Sequence, residues 1–307
     1  MKKHNIVVHS MIIFIVAVMV GFSEILHEKE IIFPEITAIA VGALMAPKLA
    51  WRTNHIRILV FIMICAVLGV GIVLFVPAPL WIQISIAYAV AQVIYLSSGT
   101  SFAPMISAIA LPVLLGTEST VYLVAAFALT VLILVCHKLL VKADIKPAAE
   151  YTPIKVGTHD WIDATVRTAI VAALAFIFLY IDARFVIAPP LLVAFTEFSK
   201  RESGARKRPI TVVAAISLCA LAGSVCRYII NLQLNLPLTL AAIIAAAIMI
   251  FVLSRLKAYV PPAGALCILP MLIPAEKVLF YPLHIFVGAS LAMGLSLLLF
   301  RKNNIAA

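Results

Sequence analysis

The chain has 307 residues, 64% of them hydrophobic and only 12% charged, with a mean hydropathy of +1.17. A soluble domain is nearer half apolar and a quarter charged, so this composition excludes one. The net charge of +10 falls in short stretches between apolar runs. That pattern assigns it to orienting the chain across a bilayer and argues against a nucleic-acid partner.

Apolar segments run through 8–26, 33–47, 56–76, 80–97, 103–116 and 119–140. A polar linker follows, "VKADIKPAAEYTPIKVGTHD". Six more segments then cover 161–181, 187–199, 209–230, 235–254, 260–274 and 279–300. Several reach the length that crosses a hydrocarbon core of about 30 Å. Continuous runs without period-two alternation argue for helices and against a barrel. The first segment has the charge order of a signal sequence, but no small-residue cleavage site follows and Glu24 comes soon after. It is expected to be a retained span. The five cysteines lie mostly within apolar segments without paired spacing and are expected to be packing residues.

The two sets of six match in order, and the fifth of each is short and proline-broken, which predicts an internal repeat. Pro104 and Pro112 fall 158 positions before Pro262 and Pro270. "CAVLG" from Cys65 falls 154 before "CALAG" from Cys219. "IIFPEI" from Ile31 falls 155 before "VIAPPL" from Val186. The expected fold is therefore an all-α polytopic membrane protein of two tandem repeats, 1–142 and 161–307, joined by a cytoplasmic linker at 143–160. If every segment crosses, the clusters at Lys2–Lys3, Lys48–Arg57, Lys138–Lys155, Lys200–Arg208, Arg255–Lys257 and Arg301–Lys302 share the cytoplasmic side, as do both termini. The repeats are then parallel. Re-entrant fifth segments would invert them and place the linker outside, against its lysines.

The short segments are the candidate site, because matching interrupted segments in two halves mark the solute path of many transporters. "SSGTSFAP" reads as an unwound stretch, a cap and a helix starting near Pro104. "KAYVPPAG" reads the same way from Pro261 or Pro262. Segments two and eight also begin with proline, at Pro34 and Pro189, and enter from the other face. Two oppositely directed starts would then meet near the midplane in each half. A helix start offers free N–H groups and a partial positive charge to an anion. The expected solute-binding residues are Ser101, Pro104, Ser107, Pro261, Pro262, Gly264, Glu35, Thr37 and Pro189. The structural alternative is that Ser107, Gly264 and Ala265 only permit close helix contact.

Glu35 is expected either to offset the dipole at its helix start or to serve the pathway. Glu197 is expected to pair with Lys200 or Arg201, and Asp163 with Arg167, at helical spacing. Arg227 is expected to snorkel and His284 to be a hydrogen-bonded interior group. Gln92, Tyr95 and Ser97 are further candidates for polar lining. No catalytic, metal, nucleotide or cofactor motif is visible, so an enzyme is not expected.

At "VPPAGALCILPML" the sequence resembles the HPP family of integral membrane proteins. The order of "PPLLVAF", "RKRPITVVAAISLCALAG" and "VPPAGA", Pro189 through Ala265, follows that family's pattern, with Val260 where the family motif has histidine. The resemblance implies a closely packed membrane fold and transport of a small anion such as nitrite. The expectation is a secondary transporter or channel for a small solute, in the plasma membrane and in contact with its lipid, possible as a homo-oligomer. The alternatives are an exporter of amphipathic or aromatic acids and a membrane scaffold that docks a partner through "SKRESGARKR".

Overall fold

The computed structural model describes residues 2–149 and 151–300; the predicted basic pair Arg301 and Lys302 lies outside them. Among the described residues there are twelve α-helices and no strand. The helices are α1 (Lys2–Ile25), α2 (Glu35–Ala40), α3 (His55–Phe75), α4 (Leu80–Ser97), α5 (Met105–Leu115), α6 (Thr120–Lys142), α7 (Thr158–Tyr180), α8 (Pro189–Ser199), α9 (Pro209–Cys226), α10 (Leu238–Leu256), α11 (Pro261–Ile268) and α12 (Tyr281–Leu299). Eight of them are long and apolar enough to cross a membrane, so the chain is a multi-pass membrane protein.

The boundaries follow local chemistry. Asn54 accepts a hydrogen bond from the Arg57 amide at the start of α3, and Ser119 does the same for Val121 at the start of α6. Pro189, Pro209 and Pro261 open α8, α9 and α11, where a missing N–H is tolerated. Gly116, at φ 69°, ends α5 in the left-handed conformation that glycine adopts freely. Two helices widen into π turns, α2 at Val41–Met45 and α9 at Arg227–Gln233. A short 3-10 turn, Leu269–Met271, continues α11.

The second segment of each six is as short as the fifth. Including its π turn, α2 covers 35–45; α8 covers 11 residues, as α5 does. The apolar runs already carried this, since 33–47 and 187–199 are close in length to 103–116 and 260–274, and buried loop residues such as Phe33 and Ala46 lengthen the first of them. All four short helices are buried almost throughout, and the long helices surround them. The long helices expose large apolar side chains outward, including Ile56, Phe75 and Ile210.

Contacts pair up in a regular way. α3 packs on α5, and α9 packs on α11. α4 packs on α7, and α1 packs on α10. α2 packs on α11, and α5 packs on α8. The short helices therefore associate mainly across the two sets of six. Within each half the short helices also meet, as expected, though less extensively: Glu35 of α2 contacts Ser107 of α5, and α8 packs on α11.

Hydrogen bonds between loops define two ends of the bundle. At one end Arg52 and Ser101 exchange bonds, the Ile154 amide reaches the Gly99 carbonyl, and Arg206 reaches the Phe300 carbonyl. At the other end Glu24 accepts from the Leu238 and Thr239 amides, and Lys277 pairs with Asp182. The loops at 46–54, 98–104, 143–157, 200–208 and 257–260 all lie at the first end, which we call the basic face.

Candidate functional site

Two cavities open at the basic face. The first, of about 380 Å³, runs from exposed Arg208, Lys257 and Tyr259 down to buried Trp51, Val260 and Pro261. The second, of about 430 Å³, runs from exposed Arg52, Lys155 and Arg201 down to buried Thr100, Arg167, Thr196 and Ser199. Ser101 and Lys200 border both.

The walls are built where α5 and α11 start and where α8 ends. The chain before α5 is irregular, and its own side chains satisfy it. Ser98 Oγ donates to the Tyr95 carbonyl and accepts from the Thr100 amide, Thr100 Oγ1 accepts from the Phe102 amide, and Ser101 Oγ accepts from the Arg52 amide at 2.8 Å. The predicted unwound stretch is present, with Pro104 immediately before α5, but no side chain caps that helix start. Val260, extended, leads into Pro261 as the first residue of α11.

The predicted site residues fall into three groups. Ser101 and Pro261 line the cavities. Pro104, Pro262 and Pro189 are buried at helix starts without reaching them, Pro189 on the far side from the basic face. Glu35, Thr37, Ser107 and Gly264 form a sealed core. Ser107 Oγ donates to Glu35 Oε1 at 2.5 Å, while Glu35 Oε2 and Thr37 Oγ1 have no hydrogen-bond partner. Gly264 lies against the Thr37 backbone, where an added Cβ would sit 2.7 Å from the Thr37 carbonyl oxygen.

The expected local ion pairs are replaced by longer-range bonds. Glu197 accepts from Trp51 Nε1 at 3.0 Å, and Lys200 lies over the Tyr95 ring at 5.0 Å. Arg167 makes no ion pair with Asp163 and donates to Gln92 Oε1 through Nε at 3.2 Å and Nη2 at 2.9 Å. Gln92 Nε2 in turn donates to Thr196 Oγ1 at 3.0 Å, and Tyr88 shares that hydroxyl at 2.8 Å. Arg227 is buried and caps the Met271 carbonyl at 2.6 Å, so it does not snorkel. His284 stacks on Phe185, with Nδ1 unpartnered.

Of the further lining candidates, Tyr95 lines the second cavity, Gln92 backs it through Arg167, and Ser97 is exposed elsewhere. Sequence reasoning missed Trp51. Its ring fills the space beside Gly42 in the π turn after α2, meets Phe102 edge-on at 5.1 Å and bonds Glu197. It thereby ties the π turn after α2, the chain before α5 and the end of α8 together beside the first cavity. The nearest sequence signal was a tryptophan within a basic loop.

Chemically, the two cavities offer cations, hydroxyls, the aromatic rings of Trp51, Phe198, Tyr259 and Tyr95, and the carboxylates of Glu197, Asp160, Asp163 and Glu202. Among the described residues, no group of three His, Cys, Asp or Glu side chains is placed to hold a metal ion. Lys146, in the linker, donates to the Ala46 carbonyl at the end of the π turn after α2, and its burial lowers its pKa from the usual lysine value. Compared with protein-family models, with curated proteins and with solved structures, the chain matches none.

Proposed function

We propose that this chain is a secondary transporter or channel for a small solute, and that the solute is an anion. The observation that carries the reading is the pair of cavities at the basic face, bordered by Arg52, Lys155, Arg167, Lys200, Arg208 and Lys257 and reaching the chain before α5 and the start of α11. A membrane protein keeps irregular backbone at depth only where protein buries it or water reaches it. The chain before α5, the start of α11 and the end of α8 satisfy that condition, since they border the two cavities.

The matched contacts support two parallel repeats. Tyr122 donates to the Ala108 carbonyl at 2.9 Å, and Tyr281 donates to the Leu266 carbonyl at 2.9 Å. Gly69 and Gly223 each let α5 or α11 approach α3 or α9 beside a proline, Pro112 or Pro270. Alternating access would then rock one six-helix set against the other. In this reading the basic face and both termini are cytoplasmic, which the excess of lysine and arginine supports, and the membrane is the plasma membrane. The resemblance to the HPP family, carried by Pro261, Pro262 and Gly264, points to the same solute class.

A second reading has one observation in its favour. Cavities of about 380 and 430 Å³ fall within the size range that holds organic ligands and are roomier than a triatomic anion requires. Export of organic acids is therefore the rival. Purified protein in liposomes should carry nitrite, nitrate, acetate or benzoate faster than empty liposomes, and the order of rates separates the two readings. No flux of any of the four through folded protein overturns both.

A further inference from the structure

We propose that the floor of the second cavity is a binding site for a planar monovalent oxyanion, a carboxylate, nitrite or nitrate, and that Arg167 is the group that grips it. The role in transport rests on the reading above; the binding stands by itself.

No carboxylate neutralises Arg167; its partners are the Gln92 amide oxygen and the face of the Phe300 ring, 5.9 Å away. Arg167 is 4% exposed, yet the only ion pair among the described residues joins Lys277 to Asp182. A guanidinium has five N–H donors and no acceptor. Two of the donors go to a single neutral oxygen, Gln92 Oε1. Gln92 is locked with that oxygen toward Arg167, because its amide nitrogen bonds Thr196, itself held by the Leu192 carbonyl. A buried cation without a counter-ion is expensive, and an anion arriving from water removes the penalty.

Arg167 also borders the cavity, so an anion has a route to it. The route is net positive: Arg52, Lys155, Lys200 and Arg201 accompany Arg167, against Asp160, Asp163 and Glu202. Asp160 is already engaged, accepting from the Gly157 amide at 2.8 Å. The planar fork of arginine matches a planar oxyanion with two parallel hydrogen bonds, which a lysine ammonium does not.

The site makes its own test. Gln92→Glu is nearly isosteric and sets a carboxylate against Arg167, where it acts as a built-in counter-ion. Thermal unfolding of the purified full chain in detergent would be followed with sodium nitrite, nitrate or acetate, against sodium chloride at equal ionic strength. The wild type is expected to gain stability saturably with the oxyanions beyond chloride. Gln92→Glu should lose that response while keeping or raising its basal midpoint. Arg167→Lys should need at least about tenfold more anion to saturate. The proposal is overturned if the wild type responds to the oxyanions only as to chloride, or if Gln92→Glu responds like the wild type. It is also overturned if Arg167→Lys merely lowers the basal midpoint with the response unchanged, the mark of a strut between α4 and α7. Binding without flux in liposomes would sink the transport reading and keep the site; flux indifferent to Gln92→Glu would do the reverse.

Discussion

Replacing Gly69 with alanine drives a methyl group into the backbone of α5. The new Cβ would overlap the Ile109 carbonyl oxygen and lie 2.6 Å from Pro112 Cγ and 3.0 Å from Ile109 Cα. Neither backbone nor a proline ring moves aside easily, so α3 and α5 must separate. Overpacking of this kind costs about 1–3 kcal/mol. Gly71 provides the control, since it lies two residues along the same helix with nothing within 4 Å of its added Cβ. Any gain in helix propensity, about 1 kcal/mol in water, is common to both substitutions and cancels in the difference. Gly71→Ala should be neutral or mildly stabilising, and Gly69→Ala should fall below it by the overpacking penalty. In a chain of this size that gap corresponds to roughly 2–10 °C in melting midpoint. Detergent-solubilised protein followed by intrinsic fluorescence on heating gives the measurement, and Gly223→Ala, aimed at the Cys267 carbonyl and Pro270, should repeat the loss. Equal midpoints for the two α3 variants would refute the claim that glycine sets the α3–α5 distance.

Glu35→Gln keeps the acceptor for Ser107 and removes the possibility of a charge where no counter-ion exists. Its midpoint should equal or exceed that of the wild type, and a loss above about 2 kcal/mol would mean that a charged carboxylate is needed there. Lys257 holds the left-handed conformation at φ 48° where α10 ends. Lys257→Gly should gain about 0–1 kcal/mol from relieved strain while slowing anion uptake at low salt, because a cation leaves the rim; unchanged uptake would remove Lys257 from the steering field. Lys277 holds the exposed Asp182 carboxyl below its usual range. The folded-state value is depressed, so the contribution is present above the ordinary aspartate pKa of about 4 and vanishes as pH drops through the lower folded value. Midpoints of wild type and Asp182→Asn should differ slightly at pH 7 and converge at acid pH; a constant offset would show that the link is not electrostatic.

The elements were legible because lipid imposes a length rule and proline imposes a start rule. All twelve helices fall on the apolar runs, and Pro261 and Pro104 stand at or just before helix starts as their chemistry predicts. Partners were not legible. The helices are apolar on every side, so no stripe reveals which face meets protein and which meets lipid. The pairing of α2 with α11 and of α5 with α8 leaves no trace in the periodicity. Local charge rules also misled. Asp163 lies four residues from Arg167, but Gln92, 75 positions away, supplies the hydrogen bonds; Lys200 lies three from Glu197, but Trp51, 146 positions away, does. In a folded core the nearest polar atom in space displaces the nearest in sequence, because a side chain that turns toward the rim leaves the buried partner unsatisfied.

The dipole argument for the short helices changes once their directions are known. A helix of 11 residues such as α5 is about 16 Å long, roughly half of a 30 Å hydrocarbon core. The rest of its crossing is irregular chain, and on the basic side that chain borders the cavities. If only starts met there, their amide ends would suffice to attract an anion. But α5 and α11 start at the basic face while α2 and α8 end there. Each start carries about half a positive charge and each end about half a negative one, so neighbouring termini largely offset one another. Lys146 on the Ala46 carbonyl answers one of the ends directly. The attraction must then come mostly from full charges: Lys200 between the cavities, Arg208 and Lys257 on one rim, and Arg167 at the other floor. It follows that neutralising side chains should weaken anion uptake far more than altering a helix start. Arg208→Gln should slow uptake steeply at low ionic strength and little at high, whereas Pro261→Ala, which leaves every fixed charge in place, should change uptake modestly at either. The opposite ranking would return the selectivity to the amide ends.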